Sequence, residues 1–534
     1  MYRSNNTEQL TFCGDTLFEM MNPREIKFLK ESWAWVFAEH IFPAIDEEPF
    51  AVLYSDNPSR PNTPVNILVG AHIIKELMGL SDEKVVEGMM MDVRFRVALH
   101  TVSFREQPLS DRSLDRFRAA LYDYATTHNG EDLLGDCCRK ISLHIAGIMG
   151  ISDKLLLRMD SLMISSNIRK LQRTQLIYEC TAYLARYIVG LPNNQFPEDL
   201  KHYADRNDFN RVFHHKRPSE TDNTLKEVLI DSDRILGFCD SRFEDVEQYQ
   251  LLIRCLDEQT VVENGIRRLR TKDDGTMDSA ILQSPYDPTA TYRVKAGKEY
   301  RGTVANVIEA VGENGSVVID VQVEPNNYSD TRFMEDALNK MGKQEEPVTI
   351  VVDGGYLNSN TAELAKEKNV KIVATDLAGR KPAEIMADFE LSEDGKSVIS
   401  CPCGYAPISC TCQPNGQGCA TFKRENCACC PHREECKAQL TRKSAKVRFS
   451  KASHERAKVF RFKGTEEFTH YSRIRNGVET IPSLLRRVYD IDHMPRGLHK
   501  AKFFVPIKVV ALNVRKLLTM LRGSGRYAKN PLIA

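Results

Sequence analysis

V348-T-I-V-V-D-G-G-Y356, followed by T361-A-E-L-A-K-E-K-N369 and V370-K-I-V-A-T-D376, reads as strand, helix, strand. The outer runs are short and rich in Val and Ile, and the middle segment is polar and suited to a helix. Two parallel strands joined through a helix form a crossover unit with a fixed hand. Working outward, S329-D-T-R-F-M-E-D-A-L-N-K-M-G342 reads as another helix. Before it, T291-Y-R-V-K-A-G-K-E-Y-R-G-T-V-A-N-V-I-E-A-V311 and S316-V-V-I-D-V-Q-V-E-P325 are rich in β-forming residues, and Glu313-Asn314-Gly315 offers a hairpin turn between them. Further upstream, K154-L-L-L-R-M-D-S-L-M-I-S165 reads as a buried strand carrying one acid. The order is strand, long insertion, strand, strand, helix, strand, helix, strand. It predicts an α/β protein with a mixed sheet and helices on its faces.

The rest of the chain hangs on this core. Residues 1–150 show helical spacing in N22-P-R-E-I-K-F-L-K-E-S-W-A-W-V-F-A-E-H-I-F-P-A-I45, in two helices broken at Gly79-Leu80-Ser81, and in L109-S-D-R-S-L-D-R-F-R-A-A-L-Y-D-Y-A-T-T-H128, where Ser110 or Asp111 is the cap. They predict an all-helical domain, either a DNA-binding helix-turn-helix type or a helical domain with no DNA role. The core is expected over 151–166, 276–395 and 440–521. A helical insertion is expected over 167–275, including Y249-Q-L-L-I-R-C-L-D-E-Q-T-V-V262, and a Cys-rich insert over 396–439. Helices are expected from about Ser472 to Arg522, then a flexible tail over 522–534.

A length of 534 residues implies several domains, and 42% apolar with 27% charged residues is ordinary globular composition. The first residues, MYRSNNTEQLTF, have no apolar signal core, so secretion is not expected. No run approaches the length of a membrane span; F503-F-V-P-I-K-V-V-A-L-N-V514 is interrupted by Pro506 and Lys508. A cytoplasmic, nucleoid-associated protein is the expectation. Lys+Arg and Asp+Glu balance at 73 each, but residues 437–534 carry 23 basic and 6 acidic side chains. That asymmetry points to a polyanion partner or to a solvated basic face.

Nine of the 15 cysteines fall between Cys401 and Cys436. Cys427-x2-Cys430-x5-Cys436, preceded by Cys401-Pro-Cys403-Gly, has zinc-knuckle spacing, and four thiolates close a tetrahedron that would staple a module too small for its own core. Cys403 and Cys429 compete as ligands. Cys410, Cys412 and Cys419 could serve a second ion or none, and free thiols, a redox role or an iron–sulfur cluster are the other readings.

Three acids stand out by position. Asp160 lies inside an apolar strand, where an unpaired carboxylate is costly. Asp353 ends a strand before Gly354-Gly355, at the edge where open α/β sheets bind ligands; Asp320 and Asp376 are alternatives to it. Glu479 lies among arginines, and in one continuous helix Arg475, Glu479 and Arg486 would share a side. Pro482 would disturb that helix, or else mark the start of a new one capped at Thr480 or Ile481.

The segments D160-S-L-M-I-S-S-N, V351-V-D-G-G-Y and R475-N-G-V-E-T-I-P-S-L-L-R486 resemble the three acid motifs of DDE transposases from bacterial insertion sequences. P64-V-N-I-L-V, S113-L-D-R-F-R, S284-P-Y-D-P-T-A-T-Y-R-V-K, the Cys block, R496-G-L-H-K-A-K and A511-L-N-V-R-K-L-L are similar to further blocks of that family, so the likeness spans roughly residues 20–520. It implies an RNase H-like core preceded by a helical N-terminal domain that binds terminal inverted repeats. It implies Asp160, Asp353 and Glu479 as ligands of two Mg²⁺ or Mn²⁺ ions that cut and join DNA strands, and Cys401, Cys427, Cys430 and Cys436 as ligands of a structural Zn²⁺. Arg475, Arg486, Arg487, Lys500 and Lys502 would contact DNA, with a homodimer on the DNA and no membrane partner. Two features depart from the pattern: Tyr471 stands four residues before Arg475 rather than three, and Arg486 stands where Lys is usual.

Overall fold

The computed structural model describes the chain except residues 1, 3, 6–15, 56, 58–60, 102–108, 153–155, 193–194, 215–220, 240, 276, 296, 376–380, 523–531 and 533–534. Apart from Arg522, which is helical, and Leu532, the tail expected over 522–534 lies outside the described residues, as does the alternative acid Asp376.

The N-terminal part is helical, as expected. Asn22 caps α1 (Pro23–Lys30) through a reciprocal capping box with Glu25. The long helix read through residue 45 is instead broken at Ser32, and short α, π and 3₁₀ turns continue to Ala44. After α2 (Val65–Met78), Gly79 takes a left-handed conformation (φ 67°) that ends the helix, and Ser81 caps α3 (Asp82–Met91). Ser110 caps α4 (Asp111–Thr127), and α5 is Leu133–Ile148.

The strand β1 covers Leu156–Ser165. The insertion contributes α6 (Arg173–Val189), α7 (Thr221–Phe238) and α8 (Glu247–Gln259), whose apolar faces close around Ile177, Leu184, Ile235, Leu252 and Cys255. It is not wholly helical. Thr260–Glu263 (β2) and Ile266–Leu269 (β3) form a hairpin where Thr260-Val261-Val262 continued the helical reading. Asn264-Gly265 supplies two positive-φ residues for the turn, a local signal that overrides the helical drift.

Next come β4 (Thr291–Lys295), β5 (Lys298–Gly312), β6 (Gly315–Pro325), α9 (Asp330–Met341), β7 (Val348–Val352), α10 (Ser359–Glu367) and β8 (Val370–Ala374). The Cys-rich region holds a small hairpin, β9 (Glu390–Leu391) with β10 (Val398–Ser400), and then β11 (Ser409–Cys412), β12 (Gly418–Lys423), β13 (Gln439–Leu440) and β14 (Ser444–Phe449) in the order β11–β12–β14–β13. The closing helices begin earlier than Ser472: α11 is Lys451–Phe462, α12 Glu466–Gly477, α13 Thr480–Arg487 and α14 Leu498–Arg522.

Two compact units divide the chain. The first comprises residues 1–153, 161–329 and 480–534, the second 154–160 and 330–479. β1 contributes its second half to the first unit and its first half to the second. In the first unit the strands run β4–β5–β1, with β6 on the edge of β5 that β4 also uses. In the second they run β1–β7–β8, all parallel. This mixed sheet has the composition expected of an RNase H-like core.

Within the first unit, α14 is buried on nearly every side, and its polar residues act as anchors. Lys508 Nζ bonds Glu76 at 2.5 Å and the Tyr489 carbonyl at 2.6 Å. Asn513 accepts from Val318 N and donates to Val318 O and to Ser142, completing the backbone bonding of β6. Lys516 reaches the fully buried Glu309 at 2.7 Å. Among the described residues no helix is long and apolar enough to cross a membrane.

Candidate active site

The second unit carries all three acids singled out in the sequence. β1 and β7 pair in parallel with Leu156 opposite Thr349, Leu157 opposite Ile350 and Arg158 opposite Val351. Asp160 and Asp353 each lie two residues beyond the last pair. Continuing the register would put them level and on one face, Asp160 midway along β1 and Asp353 just past the end of β7. Asp353 caps the turn Gly354–Tyr356, its Oδ1 accepting from Gly355 N at 2.6 Å. Asp160 is half-buried in a strand whose neighbours are buried. The burial is tolerable because Arg475 Nη2 stands 3.1 Å from its carboxylate, with 11% and 14% of the two side chains exposed.

That pairing places the third motif. α12 ends against β1: Arg158 Nη1 donates to the Ile474 carbonyl at 2.7 Å. A Cβ on Gly477 would stand 2.1 Å from the same nitrogen, so a larger residue there would require the Arg158 guanidinium to move. Tyr471, on the same helix, faces Lys371, whose Nζ lies 5.4 Å from the ring centre and 2.9 Å from Glu467.

The one-face reading of Arg475, Glu479 and Arg486 is not realised. The helix breaks at Val478-Glu479 and a new one starts at Thr480, with Pro482 in its first turn, where its missing N–H costs nothing. Glu479 is exposed in the break, its N–H bonded to the Asn476 carbonyl at 3.3 Å. Among the described residues, no three His, Cys, Asp or Glu side chains stand together as a metal ion would need. The register thus points to Asp160 and Asp353 lying level, and Glu479 forms no three-ligand metal group with them. It adds Asp330, which the sequence reading passed over. This acid begins α9, is 9% exposed, and has its Oδ2 3.2 Å from the place of a Cβ on Gly355, with Asp353 Oδ1 2.9 Å from that place. Its spacing to Asp353 gave no cue, because the intervening helix and strand bring the two together. Asp320, the alternative acid, lies on β6 in the first unit.

The remaining basic candidates belong to the first unit. Arg486 Nη2 donates to the Met163 carbonyl at 2.8 Å and its Nε lies 3.2 Å from Asp492, whose other oxygen accepts from Ser165 N. That side chain is engaged in holding the end of β1. Arg487 and Lys500 are exposed, and Lys502 lies 3.7 Å from Glu324.

Cys401, Cys403, Cys427, Cys430 and Cys436 line one small cavity together with His432. Cys403 Sγ and Cys430 Sγ stand 3.5 Å apart, while Cys429 is exposed and outside the lining. Cys403, Cys427 and Cys436 resist ionisation. The hydrogen bond to Cys430 and partial burial push Cys403 up to about 11. Burial and the neighbouring thiols push Cys436 up to about 12. The thiols are gathered but do not close a metal tetrahedron. The three further cysteines do not converge. Thr411 pairs with Cys419, so Cys419 shares a face with Thr411, while Cys410 and Cys412 share the opposite one.

Residues 27–120 match a family described as Transposase domain (DUF772), and residues 400–518 match one described as Transposase DDE domain. The second match covers the cysteine module, Glu479 and most of α14, and the first covers α2, α3 and part of α4. No curated protein and no solved structure matches the chain significantly.

Proposed function

For this chain, which belongs to the DDE transposases of insertion sequences, we propose DNA strand cleavage and strand transfer at element ends, centred on Asp160, Asp353 and Glu479. What supports the proposal is the parallel register of β1 and β7, which continued by two residues would bring Asp160 level with Asp353, together with the hold of the Glu479-bearing segment on β1 through Arg158 and Arg475. Hard carboxylate oxygens suit Mg²⁺ or Mn²⁺, and a pair of such ions would supply an activated water or 3′-hydroxyl and a stabilised leaving oxygen. Asp160 now has Arg475 as its counter-charge, a role that a bound cation would take over. Asp353 is pre-aimed by its hydrogen bond from Gly355. Glu479, exposed in a helix break, is the ligand free to move.

The reaction would be an in-line attack of water on phosphorus in which the element's 3′-oxygen leaves, followed by attack of that 3′-hydroxyl on a target phosphodiester whose own 3′-oxygen leaves, with no covalent protein–DNA intermediate. Arg487 and Lys500 are exposed cations suited to phosphate contacts; Lys502, Arg475 and Arg486 would serve by giving up their present partners. The N-terminal helical domain would read the terminal inverted repeats, and two ends held together call for a homodimer on DNA. Zinc on four of the five gathered thiols is proposed as structural. Cys401, Cys427, Cys430 and Cys436 remain the set, with Cys403 its competitor because of its contact with Cys430.

A strand-transfer assay on end-containing DNA with Mg²⁺ or Mn²⁺ tests the reading. Joined product is expected, and it should be lost in Asp160→Ala, Asp353→Ala and Glu479→Ala while end binding persists. Cut ends without joining would make the protein a nuclease, and binding without cutting an inactive relative of transposases.

A further inference from the structure

The sheet of the cysteine module has two unlike faces. β12 and β14 are antiparallel, and directly opposed residues share a face. The pairs Gly418–Phe449, Ala420–Val447 and Phe422–Ala445 are buried and form the core over the cysteine-lined cavity. The alternate pairs Cys419–Arg448, Thr421–Lys446 and Lys423–Ser444 therefore point the other way, and Lys423, Lys446 and Arg448 are exposed. β11 extends that face with Ser409, opposite Thr421, and Thr411, opposite Cys419. None of its side chains is acidic. No carboxylate partners Lys423, Lys446 or Arg448 among the described residues. At the edges, Arg424, Arg442 and Lys443 are also exposed.

Unpaired like charges on one small sheet repel one another and lower the stability of the module. The same module gains rigidity from below, where the aromatic and aliphatic residues pack over the cysteines. A face that is stiff, cationic, rich in hydroxyls and free of competing acids has the chemistry of a phosphate-contacting surface. It carries no aromatic ring on which a base could stack, which argues against single strands.

We propose that this outer face of the β11–β12–β14 sheet binds the backbone of duplex DNA through Lys423, Lys446 and Arg448, independently of sequence. The inference rests on the DNA-acting reading of the protein but assigns a surface separate from the three acids and from the basic residues of the closing helices. It gives the cysteine module a role beyond stapling, as a rigid support for a DNA contact.

The test uses the full-length chain carrying Lys423→Gln, Lys446→Gln and Arg448→Gln together, with binding to end-containing and to unrelated duplexes measured by fluorescence anisotropy over a range of salt. The slope of log Kd against log salt should fall by about two to three, since each phosphate contact contributes roughly 0.9. Affinity should drop roughly tenfold on both duplexes alike. A control triple of exposed lysines elsewhere in the same unit, Lys343→Gln, Lys366→Gln and Lys396→Gln, should bind as the parent does. The charge-keeping triple Lys423→Arg, Lys446→Arg and Arg448→Lys should retain the parent's salt slope, which separates lost charge from lost folding. If the parent binds DNA and the neutralised triple binds with the same affinity and slope, the face has no such role and the DNA-acting reading stands. If the parent binds no duplex at any salt, both readings fall together.

Discussion

At the scale of single residues, Arg475 decides how Asp160 is stored. Both side chains are largely buried, so truncating one strands the other's charge in a poorly solvated place. Arg475→Ala should lower unfolding free energy by about 3 kcal/mol in metal-free buffer. If Asp160 is a cation ligand, millimolar Mn²⁺ should restore part of that loss; thermal unfolding with and without Mn²⁺ reads both effects, and an equal loss in both conditions would assign the pair a structural role only. Arg475→Lys should recover less than the parent stability, because an ammonium cannot reproduce the guanidinium's reach and fork. His72 offers a second residue-scale test. It is completely buried between Phe117 and Phe503, and its Nε2 has no hydrogen-bond partner among the described residues. Burial, reinforced by nearby Arg118 and Lys75, holds it down to about 3. The unfolded chain binds that proton near its ordinary 6.5 and the folded chain does not, so stability falls as pH drops from 6.5 toward 3. Between pH 6.5 and 5 the loss from this residue alone should be about 2 kcal/mol. Asp82 works in a lower window. Burial would raise its carboxyl, yet hydrogen bonds from Arg118 and Lys75 outweigh that and hold it at about 2, so its contribution is present above 3.8 and disappears as pH falls through 2. Urea unfolding at pH 7 and 5 should show the steeper dependence in the parent and a flatter one in His72→Phe.

At the scale of elements, α14 is the clearest case of a helix held by its polar residues rather than by its apolar ones alone. Lys508→Met leaves Glu76 buried without its cation and should destabilise the first unit by about 3–5 kcal/mol. The double change with Glu76→Leu should return most of that, since two apolar groups of similar size can replace a buried pair at little net cost. Chemical denaturation of the two variants checks the non-additivity. The sequence could show that Lys508 interrupts an apolar run, which was enough to dismiss a membrane span. It could not show where the charge goes, because Glu76 lies more than four hundred residues away. Local patterns were legible wherever one element satisfies itself. The strands around Asp160 and Asp353, the hairpin at Asn314 and the cap at Ser110 all appear where Val/Ile alternation and turn chemistry put them. Glu479 was harder. The competing signals were a helical run of arginines and Pro482, and the proline won by starting a new helix, which turned an apparent one-face constellation into an exposed turn.

At the scale of the whole molecule, the lopsided charge of residues 437–534 read as one basic surface, and the structure divides it among several uses. Lys508 is a buried anchor, half-buried Lys516 neutralises buried Glu309, Arg475 neutralises Asp160, Arg486 ties down the end of β1, and only part of the excess stays free on the surface. Net charge therefore overstated the free basic surface, and strand register, which spacing cannot supply, was needed to find a cationic face with no acid on it. The cysteine module poses the corresponding question for stability. Its core is small, Met386, Phe389, Val398, Phe422, Val447 and Phe449 with a few alanines, and a module of that size ordinarily needs a staple. Cys403, Cys427 and Cys436 are held in the thiol form, and a bound Zn²⁺ would reverse that by making thiolate the favoured form. The expected outcome is about one zinc per chain by elemental analysis of protein purified without chelator. Stripping it should lower the unfolding temperature of a transition that includes the second unit, while the transition sensitive to Lys508→Met stays in place. Cys427→Ser and Cys430→Ser should each reproduce the stripped behaviour, Cys429→Ser should not, and Cys403→Ser against Cys436→Ser decides which of the two completes the set. Full retention of stability after stripping, with no zinc in the starting protein, would leave the module to its apolar core alone.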